Sequence, residues 1–143
     1  MREQRGSAAP LIVALVAVVL LLVAVVVDSS AAYLTRQRLD ELADGAALQG
    51  ADLGAQGRDV YDGGLGSGPL AISRAEAERA VLAYLRDAGA ARDHPGLRVT
   101  VRVDGRRVVV ELAAPVDLPL GVPGAQERPV VRARGSAVVD PQE

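Results

Sequence analysis

His94 is the only histidine among the 143 residues and there is no cysteine, so the side chains that most often act as nucleophiles, neutral-pH bases and zinc ligands are nearly missing. No glycine-rich phosphate cradle and no paired metal motif appears. Asp59 and Asp62 are close enough in sequence to share a cation, but the ligand ladder of a calcium loop is missing, and a solvated turn is the simpler reading. His94 precedes Pro95 in a connecting stretch and reads as a solvated turn residue. The carboxylates are scattered among arginines. These observations predict a protein that is not an enzyme and has no catalytic residues, cofactor or metal. Arg102 and Arg107, at strand spacing, could seat an anion between them, but a solvated face is the simpler reading; the face carrying Arg98, Arg102, Arg107 and Arg132 is where a binding domain would take a ligand.

Composition narrows the class further. The formal net charge of -2 lacks the basic footprint that holds phosphate backbones, which argues against nucleic acid as a partner. Without cysteine no disulfide can form, so an oxidising compartment is permitted and not demanded. All basic residues are Arg, and Phe and Trp are absent, a bias toward GC-rich codons as in actinobacteria.

The strongest signal is an unbroken apolar run from Ala8 to Val27. As a helix it spans about 30 Å, the thickness of a bilayer's hydrocarbon core. Pro10 falls in the first turn, where a missing N–H costs little. Arg2, Arg5 and the terminal amine precede the run and Asp28 is the first charge after it, which predicts a cytoplasmic N-terminus and an outer C-terminal part. A cleaved secretory signal is the competing reading, since Ser30-Ala31-Ala32 suits a cleavage site; the length of the run and the position of Asp28 oppose it.

Beyond the span, Leu39, Leu42, Ala46 and Leu53 recur at helical spacing. Ala43, Ala47, Gly50 and Ala51 add small residues that would admit a close neighbour, and Arg36 with Asp40 forms an i,i+4 pair. Gly45 costs about 1 kcal/mol relative to Ala inside a helix, which implies a packing reason for it.

This junction resembles the TadE/TadG-like proteins of the Tad (Flp) pilus assembly system, in particular their short actinobacterial TadG-related form. The resemblance lies in Arg5-Gly6-Ser7 before the span, Val27-Asp28 with Tyr33 following, and Arg38-Leu39 leading to Leu42-Ala43-Asp44-Gly45-Ala46-Ala47-Leu48. It implies a membrane-anchored minor pilin or pseudopilin-like component working with pilins, minor pilins and platform proteins. Prepilins of the Flp type carry Glu five residues beyond the cleavage Gly, where this chain has Leu11; the resemblance thus implies an accessory part and not a repeating subunit. Asp28, Tyr33, Leu39, Leu42, Ala43, Ala46 and Ala47 are the candidates for membrane-exit and partner packing. A membrane-tethered binding domain of unknown ligand is the alternative.

The remaining sequence predicts the outer domain. Six glycines between Gly54 and Pro69 read as a flexible loop. Ser73 and Glu76 form a capping-box signature for a helix with Ala77, Ala80, Val81, Tyr84, Leu85 and Ala88 inward, stopped by Gly89. Leu97 to Val103 and Arg106 to Ala113 read as strands joined by an Asp104-Gly105 turn. That turn predicts Val101 opposite Val108, Val99 opposite Val110 and Leu97 opposite Leu112. It also sets Arg98 against Glu111 and Arg102 against Arg107. Pro115, Pro119 and Pro123 punctuate a connection to a third strand, Val130 to Val139, whose odd positions are small and apolar. The expected organisation is a tail (1–7), a transmembrane helix (8–27), a stalk helix (28–53), a loop (54–72) and an outer domain (73–143). The fold class is α+β: one anchoring helix that continues as a stalk, then one helix with an antiparallel sheet of about three strands.

Overall fold

The computed structural model describes residues 8–59, 73–120 and 128–139, and within it the first element is a single helix, α1 (Ala8–Asp59). Span and stalk are thus continuous. α1 runs six residues past the predicted end at Leu53, and most of the predicted glycine-rich loop falls outside the described residues. At 1.5 Å per residue the helix is about 80 Å long, far more than a bilayer needs. Its apolar first part is bare: Leu11, Val13 and Leu20 are 72%, 68% and 63% exposed. Such a surface is incompatible with water and compatible with lipid.

The second part of α1 is covered by the rest of the chain. α2 (Arg74–Asp87) packs beside it, and a short α3 (Ala90–Asp93) follows. The Ser73 N–H donates to the carbonyl of Gly54 (3.0 Å), which brings the start of α2 back to α1. The predicted capping box is not made: Ser73 occupies the N-cap, but its side chain makes no capping bond, and Glu76 pairs instead with Arg79. Gly89 ends α2 as predicted, in the left-handed region (φ 69°) that a side chain disfavours. Ala77, Ala80, Val81 and Leu85 are buried, Tyr84 is half-buried, and Ala88, at the C-cap, is exposed.

β1 (Arg98–Asp104), β2 (Arg107–Pro115) and β3 (Val130–Val138) form an antiparallel sheet in the order β1-β2-β3. The hairpin register is two residues from the predicted one. Val103 faces Val108, Val101 faces Val110 and Val99 faces Leu112. The cause lies in the turn, where Asp104 pairs with Arg107 and the loop residues are Gly105 and Arg106. Gly105 has φ 57° and Arg106 has no positive φ, which places glycine first in the two-residue loop, as type II′ turns prefer. A shift of two preserves which face each residue occupies, so the apolar side still turns inward. It removes the expected opposition of Arg102 and Arg107 and the pairing of Arg98 with Glu111. Thr100 now faces Glu111, and Arg102 reaches diagonally to grip Glu111 through two bonds of 3.1 and 3.2 Å.

One core results, built from Leu39, Ala43, Ala46, Ala47 and Ala51 of α1, the α2 stripe, Val108, Val110, Leu112 and Ala114 of β2, and Ala133 and Ala137 of β3. The architecture is α+β, with α1 and α2 as one layer and the sheet as the other.

Candidate functional site at the membrane exit

Asp28 directly follows the last residue of the apolar span, and its side chain is only 5% exposed. The cover comes from far along the chain. After β2 ends, the Val116 N–H donates to the Pro129 carbonyl (2.9 Å), and Asp117 pairs with Arg128 (2.8 Å), which closes the base of the β2–β3 connection. The chain then runs through Leu118 and Pro119 until the Leu120 N–H donates to Asp28 Oδ1 (3.0 Å). Asp28 Oδ2 is buried and has no hydrogen-bond partner among the described residues. Neighbouring hydroxyls are absorbed by the helix itself: Ser30 Oγ donates to the Val26 carbonyl (2.8 Å) and Thr35 Oγ1 to that of Ala31 (3.0 Å).

The other predicted site residues divide into two groups. Tyr33 stands open, 68% exposed, beside the also exposed Leu34. Leu39, Ala43, Ala46 and Ala47 are completely buried and Leu42 is partly so. The neighbour that their small side chains admit is the chain's own sheet: a Cβ at Gly135 of β3 would run into the backbone of Ala43. They are therefore core residues of this protein, and not a face left open for a partner. The exposed strip of this part of α1 carries Tyr33, Leu34 and Leu48 instead.

Two hollows lie higher on the molecule. A cleft of about 630 Å³ is lined by Arg98, Arg132 and Arg134 of the outer sheet face, together with Arg36, Asp40 and Glu111. Arg36 is paired with Asp40 (3.8 Å) and Glu111 with Arg102, while the other three arginines have no acidic partner among the described residues. Of the four arginines singled out in the sequence, Arg98 and Arg132 line this cleft and Arg102 and Arg107 do not. His94 lines a smaller hollow with Tyr84 and Asp93. It is 8% exposed, which corrects its reading as a solvated turn residue: its N–H closes α3 on Ala90, and its carbonyl accepts from Leu97 at the entry to β1. Among the described residues no group of acidic or histidine side chains is arranged to hold a metal.

The stretch of α1 that holds both the span and the buried stripe is also where similarity to known proteins lies, since residues 6–53 match the family model described as Flp pilus-assembly TadE/G-like. Residues 6–53 are a TadE/G-like segment. No curated protein and no solved structure matches the chain. The TadE/G-like match supports association with the Tad pilus, and the long apolar helix fits a membrane anchor. Its match begins just ahead of the span and ends at Leu53, so it takes in Asp28, Tyr33 and the stripe from Leu39 to Ala51 but neither α2 nor the sheet.

Sequence reasoning found Asp28 as the first charge after the span and missed its partner. The available signal was Leu118-Pro119-Leu120, an apolar triplet inside a proline-punctuated connection where a solvated loop would carry polar residues.

Proposed function

We propose that this protein is an accessory, minor-pilin-like or pseudopilin-like component of a Tad-type pilus assembly or secretion system, with its N-terminal tail in the cytoplasm and its α+β domain outside. The observation that carries the reading is the TadE/G-like match over the helix that serves as both span and core. The role is non-catalytic, a reading supported by the absence of cysteine and the enclosure of the single histidine in the fold. The orientation is supported by Arg2 and Arg5 ahead of the span and Asp28 behind it. Partners are pilins, sister minor pilins or platform proteins. Because the small-residue stripe is covered, the contacts fall to the bare span and to the strip of Tyr33, Leu34 and Leu48.

One experiment tests assembly and orientation together. In a chain without cysteine, Tyr33→Cys, Ala43→Cys and Ser7→Cys can each be treated in intact cells with a membrane-impermeant thiol crosslinker. Tyr33→Cys should capture a pilus protein, whereas Ala43→Cys and Ser7→Cys should capture none. Capture from Ser7→Cys alone would reverse the orientation. If Tyr33→Cys captures no pilus protein and a deletion strain makes normal pili, the assembly role is lost.

The alternative, a tethered binding domain, is favoured by the cleft of Arg98, Arg132 and Arg134, whose guanidinium groups have no acidic partner among the described residues and suit a carboxylate or phosphate. It predicts that Arg98→Ala with Arg132→Ala abolishes the deletion-complementing activity while pilus production stays normal.

A further inference from the structure

Leu120 is 54% exposed and Leu118 half-buried, in a connection that otherwise closes on itself through Val116 and the Asp117–Arg128 pair. What fixes the height of these leucines is the bond from the Leu120 N–H to Asp28. Asp28 is one residue past Val27, and the 20 apolar residues from Ala8 to Val27 are the length that fills a bilayer's hydrocarbon core. The backbone of Leu120 therefore lies level with the end of the span, within hydrogen-bond reach of it, and its exposed side chain stands where acyl chains give way to headgroups. A solvated loop at that level would carry polar residues, yet this one presents Leu-Pro-Leu. A backbone N–H carried into that zone loses water as a partner, and the sheltered Asp28 carboxylate supplies the acceptor in its place.

We propose that Leu118, Pro119 and Leu120 form a second, shallow membrane anchor that inserts into the headgroup–acyl boundary beside the span, with Asp28 holding the loop in place. The partner is the lipid surface. A single helix leaves the outer domain free to tilt against the membrane, and a second apolar contact offset from the helix axis restrains that tilt. The inference rests on membrane anchoring by α1 and not on the identity of any pilus partner.

The test uses the full chain in phospholipid nanodiscs, with single cysteines at Leu120→Cys, Leu20→Cys and Ser136→Cys carrying an environment-sensitive fluorophore. Lipids bearing a nitroxide either near the headgroup or deep in the acyl chain act as quenchers. The probe at 120 should be blue-shifted relative to that at 136 and should lose more intensity to the shallow nitroxide than to the deep one. The probe at 20 should show the reverse preference. Adding Asp28→Ala should reduce quenching at 120 and leave quenching at 20 unchanged. An unquenched, unshifted probe at 120 beside a quenched probe at 20 would overturn the anchor, and would point to a protein covering the loop in the cell. Absence of quenching at 20 would overturn it too, by removing the span on which it rests.

Discussion

Two glycines set how closely the layers approach, and they differ in what a methyl group would meet. At Gly135 an added Cβ would run into the carbonyl group of Ala43, backbone against backbone, with no rotamer to relieve it. At Gly45 it would meet the ring and hydroxyl of Tyr84, the far end of a half-buried side chain that can swing toward solvent. Gly135→Ala should therefore destabilise the protein by about 1–3 kcal/mol, the usual cost of overpacking. For Gly45→Ala the displacement of Tyr84 is offset by about 1 kcal/mol of helix propensity, leaving little net change. Urea unfolding of both variants in detergent checks this; equal midpoints would mean that β3 does not pack on α1 at that distance. The small stripe and the inward face of β3 were each legible in the sequence, because helical and strand periodicity are local properties. That Ala43 meets Gly135 was not, since nothing in either segment names a neighbour about ninety residues away. Burial of His94 escaped for the same reason: a lone histidine before a proline looks like a turn until α2 and α1 are seen to close around it.

The hairpin illustrates how an element can be right in face and wrong in register. Alternation over β1 and β2 fixes which side chains point inward, and that survived a two-residue shift. The turn fixes register, and Asp104-Gly105-Arg106 permits glycine either second or first in the loop. Choosing between them depends on the pairing energy of the whole hairpin. In the observed register Asp104 faces Arg107, and Arg102 grips Glu111 where the other register would have set two arginines together. Disulfide formation separates the two arrangements. Arg102→Cys with Val109→Cys places two thiols on directly opposed positions, within bridging range, and should oxidise readily. Arg102→Cys with Arg107→Cys sets them on the diagonal, about 7–8 Å apart, and should stay reduced under the same conditions. The opposite outcome would restore Val101 opposite Val108. The capping box at Ser73 failed on similar grounds: its pattern was present, and Glu76 had a better partner in Arg79 one turn on.

At the scale of the molecule, α1 belongs to two environments at once. Its first part has the bare apolar surface that fits a membrane span and its second is the spine of the folded domain, with the change falling at Asp28. Sequence divided these into a span, a stalk and a separate domain starting at 73, because an amphipathic helix looks the same whether its apolar face is covered by a partner or by its own chain. The structure assigns that face to the chain itself, since Leu39, Ala43, Ala46 and Ala47 have no exposed surface left. The folded domain therefore begins within α1 and not at residue 73. This has a consequence for truncation. A chain starting at Asp28 keeps every core residue and should fold as a water-soluble domain. A chain starting at Leu48 loses the four fully buried residues and bares Val110, Leu112 and Ala133 on the sheet. Loss of a buried Leu alone costs about 2–5 kcal/mol, and a domain of this size has about 5–15 in total, so the shorter chain should not fold. With no Trp and three Tyr, amide hydrogen exchange is a better gauge than fluorescence. The longer fragment should protect β2 amides, and the shorter should protect none. Protection of β2 in both would mean that α1 merely leans on a sheet that is stable without it. The small-residue stripe would then be available to other pilus proteins after all.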